Sequence, residues 1–346
     1  MPDPGEILIV KLGALGDVLR TTPLLTALKR RWPAARITWV VDPRHRGVLR
    51  GNALIDELLD YSPATLEALG RRRFDLAINL DKDDEALETM SRAVAARRMG
   101  FGLDAAGKLC ALDSLSDYAY RLGIDDELKF RLNKKSYQEI SFEQAGFRFE
   151  GEEYLFAVDG PTREAARAHL KQAGFRRGSG PVVGLNTGSG TRFAGKRLPE
   201  ATWAELAERF ICEAGATALL LGGQDEIERN GRIAAASAAR GLAVVNTGSH
   251  PIDRFAGIVG ECDLVVSGDT TAMHIAIALK VPVVAYFAST CSAEIELYGR
   301  GRKVVSSISC APCYKKICPI DEQCMKDMTA AELFAAARDV LGAAAR

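Results

Sequence analysis

The sequence has no run of about 18 uninterrupted apolar residues, so we expect none of its segments to cross a membrane as a helix. Its first ten residues, MPDPGEILIV, lack the basic region of a secretory signal and lead directly into a strand-like stretch. Neither charge sign is in excess, because 45 Lys and Arg balance 45 Asp and Glu. We therefore expect a cytoplasmic protein without a nucleic-acid partner.

Several chemical signatures are also missing. The sequence contains no GxGxxG dinucleotide fingerprint, no GxSxG nucleophile elbow and no HExxH zinc helix. These absences disfavour NAD-dependent oxidoreductases, serine hydrolases and zinc proteases of that type. No internal repeat of roughly 20–50 residues stands out either. What remains is a chain of 346 residues, of which 47% are hydrophobic, enough for about two globular domains.

Short apolar runs alternate with helical stretches along most of the chain. The strand-like runs cover residues 7–12, 36–41, 76–80, 182–185, 218–221, 243–246, 264–267 and 281–287. Nearly continuous apolar strands separated by helices are typical of parallel sheets that are covered on both faces. The fold class predicted is therefore α/β.

The alternation weakens between about residues 102 and 180, and this stretch ends in a GSGP break. We interpret the break as the linker between two α/β lobes. The predicted domains are an N-terminal lobe over residues 1–177 and a C-terminal lobe over residues 178–328. A helix over residues 329–346 is predicted to pack back towards the N-terminal lobe.

The first loop with candidate functional residues is KLGALGD, residues 11–17, which follows the first strand. In open α/β sheets, ligands bind beyond the carboxyl ends of the strands. Gly13 and Gly16 allow a tight turn and the close approach of a ligand. Asp17 is either an acid that caps the following helix or a carboxylate that takes a proton from a substrate hydroxyl.

The second loop is NTGSGTRFAGKRLP, residues 186–199. It nearly matches a P-loop, but Arg197 stands where a P-loop needs Ser or Thr to bind magnesium, which disfavours a P-loop kinase. A strand, a turn rich in small residues, Lys196 and a helix that begins near a proline together suit a diphosphate. The alternative is a flexible surface loop with a solvated lysine.

Two further strand ends carry polar residues. In SGDTTAMH, residues 267–274, Asp269 and Thr270 either cap the next helix or contribute to a phosphate and ribose site. His274 is one of only four histidines, and it is either a packed core residue or part of that site. The GGQD stretch at residues 222–225 ends another strand and is expected to reach a nucleoside.

Four of the eight cysteines lie in one short segment: Cys310, Cys313, Cys318 and Cys324. A CxxC pair followed by two more cysteines can present four thiolates tetrahedrally. The intervals are tight for a zinc ribbon, so two interpretations stay open. The segment holds a structural zinc or iron ion, or its thiols are free or paired as disulfides.

Taken in order, these loops resemble glycosyltransferase family 9, the lipopolysaccharide ADP-heptose heptosyltransferases. The likeness runs through ILIVKLGALGDVLRTTPLLTALKRRWP, NTGSGTRFAGKRLP, LLLGGQDEIE, VVSGDTTAMHIAIAL and the cysteine segment. It implies a GT-B architecture, in which two Rossmann-like lobes face a central cleft, with the acceptor on the N-terminal lobe and the donor on the C-terminal lobe. It also implies transfer of heptose from ADP-heptose with inversion and without a catalytic metal or cofactor.

The resemblance assigns Asp17 as the general base and Lys196 as a contact to the donor diphosphate. The expected donor-binding residues are Gly16, Thr187, Gly188, Ser189, Thr191, Lys196, Gly222, Gln224, Asp225, Asp269, Thr270, Thr271 and His274. The expected acceptor-binding residues are Lys11, Arg20, Arg44, Arg46 and Lys82. The implied partners are an ADP-sugar and an anionic glycolipid or glycan.

The sequence also departs from the family pattern. Thr271 replaces the usual glycine and puts a side chain where backbone amides approach the phosphate. Gln224 and Asp225 stand where some members have a glutamate that contacts the donor, so the identity of the donor sugar need not be the usual one. Residues 79–84 differ from the best-known core heptosyltransferases, so the acceptor need not be the usual inner core. Arginines of the N-terminal lobe either steer an anionic acceptor or the inner-membrane surface, or are solvated helix ends. An NAD-dependent oxidoreductase and a non-catalytic nucleotide- or metal-binding module remain the alternative functions.

Overall fold

The computed structural model describes residues 3–190 and 195–344, and the chain divides into two compact units. The first unit comprises Met1–Phe156 and the short segment Ala293–Glu296, and the second comprises Ala157–Ser292 and Leu297–Arg346. The division falls before the predicted linker at residues 178–181, because the helix Gly160–Gln172 packs on the helix Ile252–Val259 of the second unit.

The first unit is built on one six-stranded sheet. Its strands are β1 Glu6–Val10, β2 Arg36–Val41, β3 Glu57–Asp60, β4 Arg73–Asn79, β5 Val94–Leu103 and β6 Leu109–Ala111. Its helices are α1 Leu15–Thr21, α2 Pro23–Arg31, α3 Pro63–Arg71, α4 Asp84–Arg92, α5 Asp117–Arg121 and α6 Tyr137–Gln144. The strand order is β3-β2-β1-β4-β5-β6, and β6 alone among these pairs runs antiparallel to its neighbour.

The second unit repeats this plan with an entirely parallel sheet. Its strands are β7 Val182–Asn186, β8 Thr217–Leu221, β9 Val245–Asn246, β10 Leu264–Gly268, β11 Val283–Phe287 and β12 Gly301–Val305. Its helices are α7 Gly160–Gln172, α8 Glu200–Ala214, α9 Ile227–Ala238, α10 Ile252–Val259, α11 Thr271–Ala278, α12 Gln323–Lys326 and α13 Ala330–Ala344. The strand order is β12-β11-β10-β7-β8-β9.

Counted from the first strand of each unit, both sheets have the Rossmann order 3-2-1-4-5-6. The predicted fold of two α/β lobes with parallel sheets is thus confirmed. The central strands are β1 and β7, and both are buried along nearly their whole length. Burial on both faces explains why their sequences are continuous apolar runs rather than alternating ones.

The C-terminal helix α13 belongs to the second unit. Its Leu333, Phe334 and Ala337 are buried in the core of that unit, where the helix packs on α8 and β11. The contacts of this helix thus extend the second core, whereas the sequence predicted that it packs towards the N-terminal lobe. Among the residues that the structure describes, none of the helices has the length and apolar character needed to span a bilayer.

Candidate active site

A buried ion pair supports the loop that follows β1 (residues 11–17, the β1 loop). The ammonium group of Lys11 is paired with the carboxylate of Asp81 and donates to the carbonyl oxygen of Gly13 at 2.8 Å. The other oxygen of Asp81 accepts from the amides of Leu12 at 2.7 Å and Gly13 at 3.2 Å. Asp81 follows β4, which pairs with β1, so both charges come from adjacent strand ends. The pair therefore fixes the backbone of the β1 loop.

Lys11 is buried, with 3% of its surface exposed. Burial opposes its charge, but Tyr137, Asp81 and Asp17 raise the pKa of Lys11 above its ordinary value, so it stays protonated. Sequence reasoning expected Lys11 to bind the acceptor. The structure places its ammonium against Asp81 and the loop backbone, where it holds the loop.

Asp17 lies in the first turn of α1, at the end of the β1 loop. One carboxylate oxygen lies 2.8 Å from a guanidinium nitrogen of Arg20, and the other accepts from the amide of Ala14 at 3.3 Å. The side chain of Asp17 is 35% exposed. Asp17 thus closes the first turn of the helix and still reaches solvent, so both sequence hypotheses for it are compatible with its position.

Arg20 is held from several sides. Its guanidinium lies over the ring of Tyr137, 3.9 Å from the centroid, and a nitrogen lies 3.9 Å from a carboxylate oxygen of Glu294. Glu294 belongs to the short segment of the first unit that comes late in the sequence, and its carbonyl accepts from the amide of Tyr137 at 3.0 Å. Arg20 is therefore engaged with two carboxylates, one of which is Asp17.

Two of the arginines expected to bind the acceptor pair with nearby acids. Arg44 is 82% exposed and bonds the carboxylate of Asp42 at 2.5 Å. Arg46 donates to the carboxylate of Asp60 at 2.8 Å. Both remain partly open to solvent, so a larger anion can compete for them.

Lys82 differs from these arginines because it is half-buried beside the β1 loop. Its ammonium donates to the carbonyl oxygen of Ala119 at 2.7 Å and lies 4.7 Å from the ring centroid of Phe101. Burial, and after it the positive charge of Lys129, lowers the pKa of Lys82 to about 8. Removing a lysine charge from water in this way is costly, and an anion beside it would restore the charged form.

The loop after β7 (residues 186–199, the β7 loop) is organised by Asn186, the last residue of the strand. The side-chain amide of Asn186 donates to the carbonyl of Gly188 at 3.0 Å and to the hydroxyl groups of Ser267 at 3.0 Å and Thr270 at 3.2 Å. Asn186 therefore ties the β7 loop to the loop after β10, the adjacent strand. Sequence reasoning missed this residue, although it is the polar end of an apolar strand.

Two predicted donor residues of the β7 loop, Thr187 and Ser189, take different positions. Thr187 is fully buried and its hydroxyl donates to the side chain of Asn230 at 2.5 Å, so that it holds the loop from beneath. Ser189 is 9% exposed, and its hydroxyl lies 3.4 Å from the carbonyl of Gly190. Thr191 lies outside the described residues. Gly16, the predicted donor contact from the β1 loop, is buried in α1.

Lys196, Asp269 and His274 come together, as the sequence predicted for a single site. The ammonium of Lys196 lies 3.5 Å from one carboxylate oxygen of Asp269, and the imidazole of His274 lies 3.9 Å from the other. The separation from Lys196 exceeds the ~2.7–2.9 Å of a tight charge-assisted hydrogen bond. Lys196 thus lies farther from the carboxylate of Asp269 than Lys11 lies from that of Asp81.

The N-terminus of α11 lies in the same loop. Thr270 is the N-cap and has an extended backbone, and within the described residues its hydroxyl makes no capping hydrogen bond, since it bonds Ser267 and Asn186 instead. Thr271 begins the helix. The partial positive charge of a helix N-terminus and its amide groups suit a phosphate.

A buried carboxylate that sequence reasoning missed lies beside the β7 loop. Glu226 is 7% exposed and accepts from the amide of Gly223 at 3.0 Å. A Cβ atom on Gly188 would lie 2.6 Å from the carboxylate carbon of Glu226, so a larger residue there would displace that carboxylate. Gln224 and Asp225, the predicted donor contacts, are exposed instead. Gly222, also predicted, packs equally closely on Glu226.

The four clustered cysteines, Cys310, Cys313, Cys318 and Cys324, line one cavity and are free thiols. Burial, and after it the proximity of the other three, raises the pKa of the Cys324 thiol to about 11. As the side chains lie, no three His, Cys, Asp or Glu residues in the described part of the chain are arranged to hold a metal ion. The expected zinc or iron centre is therefore not formed by the present side-chain positions.

Residues 64–323 match the family model of glycosyltransferase family 9 (heptosyltransferase), and the chain belongs to that family. The chain is 28% identical over 332 residues to lipopolysaccharide heptosyltransferase 1 of Pseudomonas aeruginosa, an alignment that covers 90% of this chain and 87% of that protein. The chain is thus a glycosyltransferase of the heptosyltransferase type, as the resemblance implied.

Solved structures agree on the fold. The family 9 glycosyl transferase of Veillonella parvula superposes with a TM-score of 0.75 at 20% identity, over 97% of both chains. The ADP-heptose lipopolysaccharide heptosyltransferase II of E. coli superposes with a TM-score of 0.70 at 19% identity, over 99% of this chain and 100% of that one. The predicted GT-B class, with two Rossmann-like lobes, is confirmed.

Proposed function

We propose that this protein transfers heptose from ADP-heptose to a lipopolysaccharide core or a related glycan, with inversion at the anomeric carbon. The observation that carries the proposal is the grouping of Lys196 and the α11 N-terminus at the ends of the adjacent strands β7 and β10. A cationic side chain and a helix N-terminus at one sheet edge form a binding site suited to a diphosphate. The similar proteins named above act in lipopolysaccharide synthesis, which supports heptose as the sugar.

Lys196 and the amides of α11 would bind the diphosphate of the donor. Glu226 lies against Gly188 with its carboxylate beneath the β7 loop, where it would accept hydrogen bonds from hydroxyl groups of the nucleotide sugar. This role gives the donor site the glutamate that the GGQD stretch itself lacks. Asp269 and His274 would complete the polar wall next to Lys196.

Asp17 would act as the general base. In this step Asp17 takes the proton of an acceptor hydroxyl while that oxygen attacks the anomeric carbon, and the bond from that carbon to the diphosphate breaks as ADP leaves. Lys196 and the helix N-terminus offset the negative charge that grows on the leaving diphosphate. Arg20, whose guanidinium lies 2.8 Å from the carboxylate of Asp17, holds that side chain in place, and the step uses no metal or cofactor.

The acceptor would bind at the first unit. Of the expected acceptor-binding residues, Lys82, Arg44 and Arg46 are the ones proposed to bind an anionic glycolipid, because Arg44 and Arg46 stay open to solvent whereas Lys11 and Arg20 are more deeply buried against their acidic partners. A glycolipid acceptor lies in the inner membrane, so the proposal includes a peripheral contact of this cytoplasmic protein with that surface.

The test is a transfer assay with ADP-heptose and a heptose-deficient lipopolysaccharide, comparing wild type with Asp17→Asn. We expect turnover to fall by roughly 100-fold or more, because the amide cannot accept the proton, while ADP affinity stays unchanged. Asp126→Asn, an exposed aspartate of the same unit, is the matched control. Near-normal turnover of Asp17→Asn would remove Asp17 from the mechanism, and retention at the anomeric carbon of the product, read by NMR, would contradict inversion.

A further inference from the structure

The segment Ala293–Glu296 belongs to the first unit, although the residues on both sides of it, Ser292 and Leu297, belong to the second. Within the segment, Ile295 is buried, and the side chain of Glu294 is 16% exposed. Removing most of a carboxylate from water is costly unless charged or hydrogen-bonding partners compensate. The partners of Glu294 therefore indicate the role of this side chain.

Glu294 contacts the first unit with both its backbone and its side chain. Its carbonyl oxygen accepts from the amide of Tyr137 at 3.0 Å, and Tyr137 is the first residue of α6. The first amides of a helix have no partner within that helix, so this contact fixes the start of α6. A carboxylate oxygen of Glu294 lies 3.9 Å from a guanidinium nitrogen of Arg20. Any residue at position 294 supplies the carbonyl, whereas the attraction of Arg20 requires the carboxylate.

These contacts lead to Asp17 by two routes. The guanidinium of Arg20 lies 2.8 Å from the carboxylate of Asp17 and 3.9 Å from the ring centroid of Tyr137. The hydroxyl of Tyr137 lies 2.9 Å from that of Thr21, which donates to the carbonyl of Asp17 at 2.7 Å. The side chain and the backbone of Asp17 are thus both bonded to groups that Glu294 or its contacts hold.

Arg20 places one positive charge between the carboxylates of Asp17 and Glu294, and its side chain is 13% exposed. The ring of Tyr137 and the charge of Glu294 both oppose rotation of the guanidinium away from this position. We propose that Glu294 is a positioning residue, which holds Arg20 on the ring of Tyr137 and thereby holds the carboxylate of Asp17 in one orientation. This inference rests on the proposed function of Asp17 as the base.

Glu294 also acts on Lys82, so a second path has to be distinguished. Burial, and after it Lys129, lowers the pKa of Lys82, whereas the charge of Glu294 raises it. Lys82 is proposed to bind the acceptor, so an effect of Glu294 through Lys82 would change the KM for the acceptor. An effect through Arg20 and Asp17 would change kcat instead, because a base contributes to proton transfer rather than to binding.

The first test is the transfer assay with ADP-heptose and a heptose-deficient lipopolysaccharide, comparing wild type with Glu294→Gln and Glu294→Asp. We expect the kcat of Glu294→Gln to fall about tenfold at unchanged KM for both substrates, because a base that is held less firmly is less often aligned with the acceptor hydroxyl. Glu294→Asp keeps the charge and should recover part of the loss. Glu67→Gln, an acid of the same unit with a side chain that is 65% exposed, is the control. An unchanged kcat in Glu294→Gln, or a raised KM for the acceptor, would overturn the proposal.

The second test determines whether Glu294 acts through Asp17. When Asp17→Asn is already present, adding Glu294→Gln should lower the residual kcat no further, because the carboxylate that Glu294 positions is gone. A further loss as large as in the single variant would contradict the positioning role. Near-normal turnover of Asp17→Asn alone would contradict the proposed function instead.

The third test needs no substrate. NMR of the arginine guanidinium groups measures rotation about the Nε–Cζ bond, and we expect this rotation to be faster for Arg20 in Glu294→Gln than in wild type and in Glu67→Gln. Equal rotation in all three proteins would show that Glu294 does not hold Arg20. If wild type transfers no heptose, the proposed function fails, whereas this measurement still decides whether Glu294 positions Arg20.

Discussion

The β1 loop and the β7 loop occupy the same place in two sheets of the same strand order, yet they are held differently. The β1 loop is supported by a buried ion pair between Lys11 and Asp81. The β7 loop is supported by neutral hydrogen bonds from Asn186, and its lysine, Lys196, lies 3.5 Å from its nearest carboxylate oxygen in Asp269.

This difference indicates that the two loops have different roles. In the β1 loop, the lysine is neutralised within the protein, and the result is a rigid support that presents Asp17. In the β7 loop, Lys196 lies farther from Asp269, and in the proposed function a diphosphate would join or replace that carboxylate as its partner. In the proposed function, one Rossmann-like strand end would position a base, and the other would bind an anion.

The largest effect should come from Asp81→Asn, which leaves Lys11 buried without its carboxylate. We expect the free energy of unfolding to fall by about 3–5 kcal/mol, measured by urea titration. Adding Lys11→Met should restore part of it, because the uncompensated charge is then gone. Asp84→Asn, an exposed acid nearby, serves as the control. A loss below about 1 kcal/mol would mean that the ion pair does not hold the β1 loop.

A smaller effect is expected from Asn186→Leu, which removes the amide that bonds Gly188, Ser267 and Thr270. Because these are neutral hydrogen bonds, the free energy of unfolding should fall by about 2 kcal/mol. The affinity for ADP should fall with it, since the β7 loop and the α11 N-terminus lose their connection. If Asn186→Leu lowered the free energy of unfolding as much as Asp81→Asn does, the two loops would not differ in how strongly they are held.

The smallest effect concerns Lys82, whose pKa is lowered to about 8 by burial. Between pH 8 and the ordinary lysine pKa of about 10.4, the unfolded chain binds this proton and the folded chain does not, so stability rises with pH. Lys82→Met should therefore gain about 1 kcal/mol over wild type at pH 7 and less at pH 10. Urea titrations at both pH values measure this, and a gain independent of pH would contradict the lowered pKa.

Strand prediction from the sequence succeeded where burial on both faces makes a strand continuously apolar, as in β1 and β7. It failed for β5, whose first half is exposed and charged, and for β12, an edge strand whose sequence is GRKVV. Edge positions and mixed burial remove the apolar pattern that marks a strand.

The sequence indicates candidate site residues by their place after a strand, and their roles stay predictions. Asp17 and Lys196 follow central strands, and their loops stand out by their glycines. The supporting roles of Asp81 and Asn186 were not predicted, because Asp81 contacts residues 68–70 positions away in the sequence and Asn186 contacts Ser267 and Thr270, 81 and 84 positions away. The contact of Lys11 with Asp81 could not be predicted for the same reason, because that carboxylate lies 70 residues away in the sequence.

The most direct test of the account is a calorimetric titration of wild type and Lys196→Ala with ADP, and with UDP and NAD as alternative ligands. Lys171→Ala, an exposed lysine of the same unit, is the control. The account predicts selective binding of ADP to wild type and to the control, weakened about tenfold in Lys196→Ala, which corresponds to about 1.4 kcal/mol. Binding of NAD alone, or an ADP affinity that Lys196→Ala leaves unchanged, would contradict it.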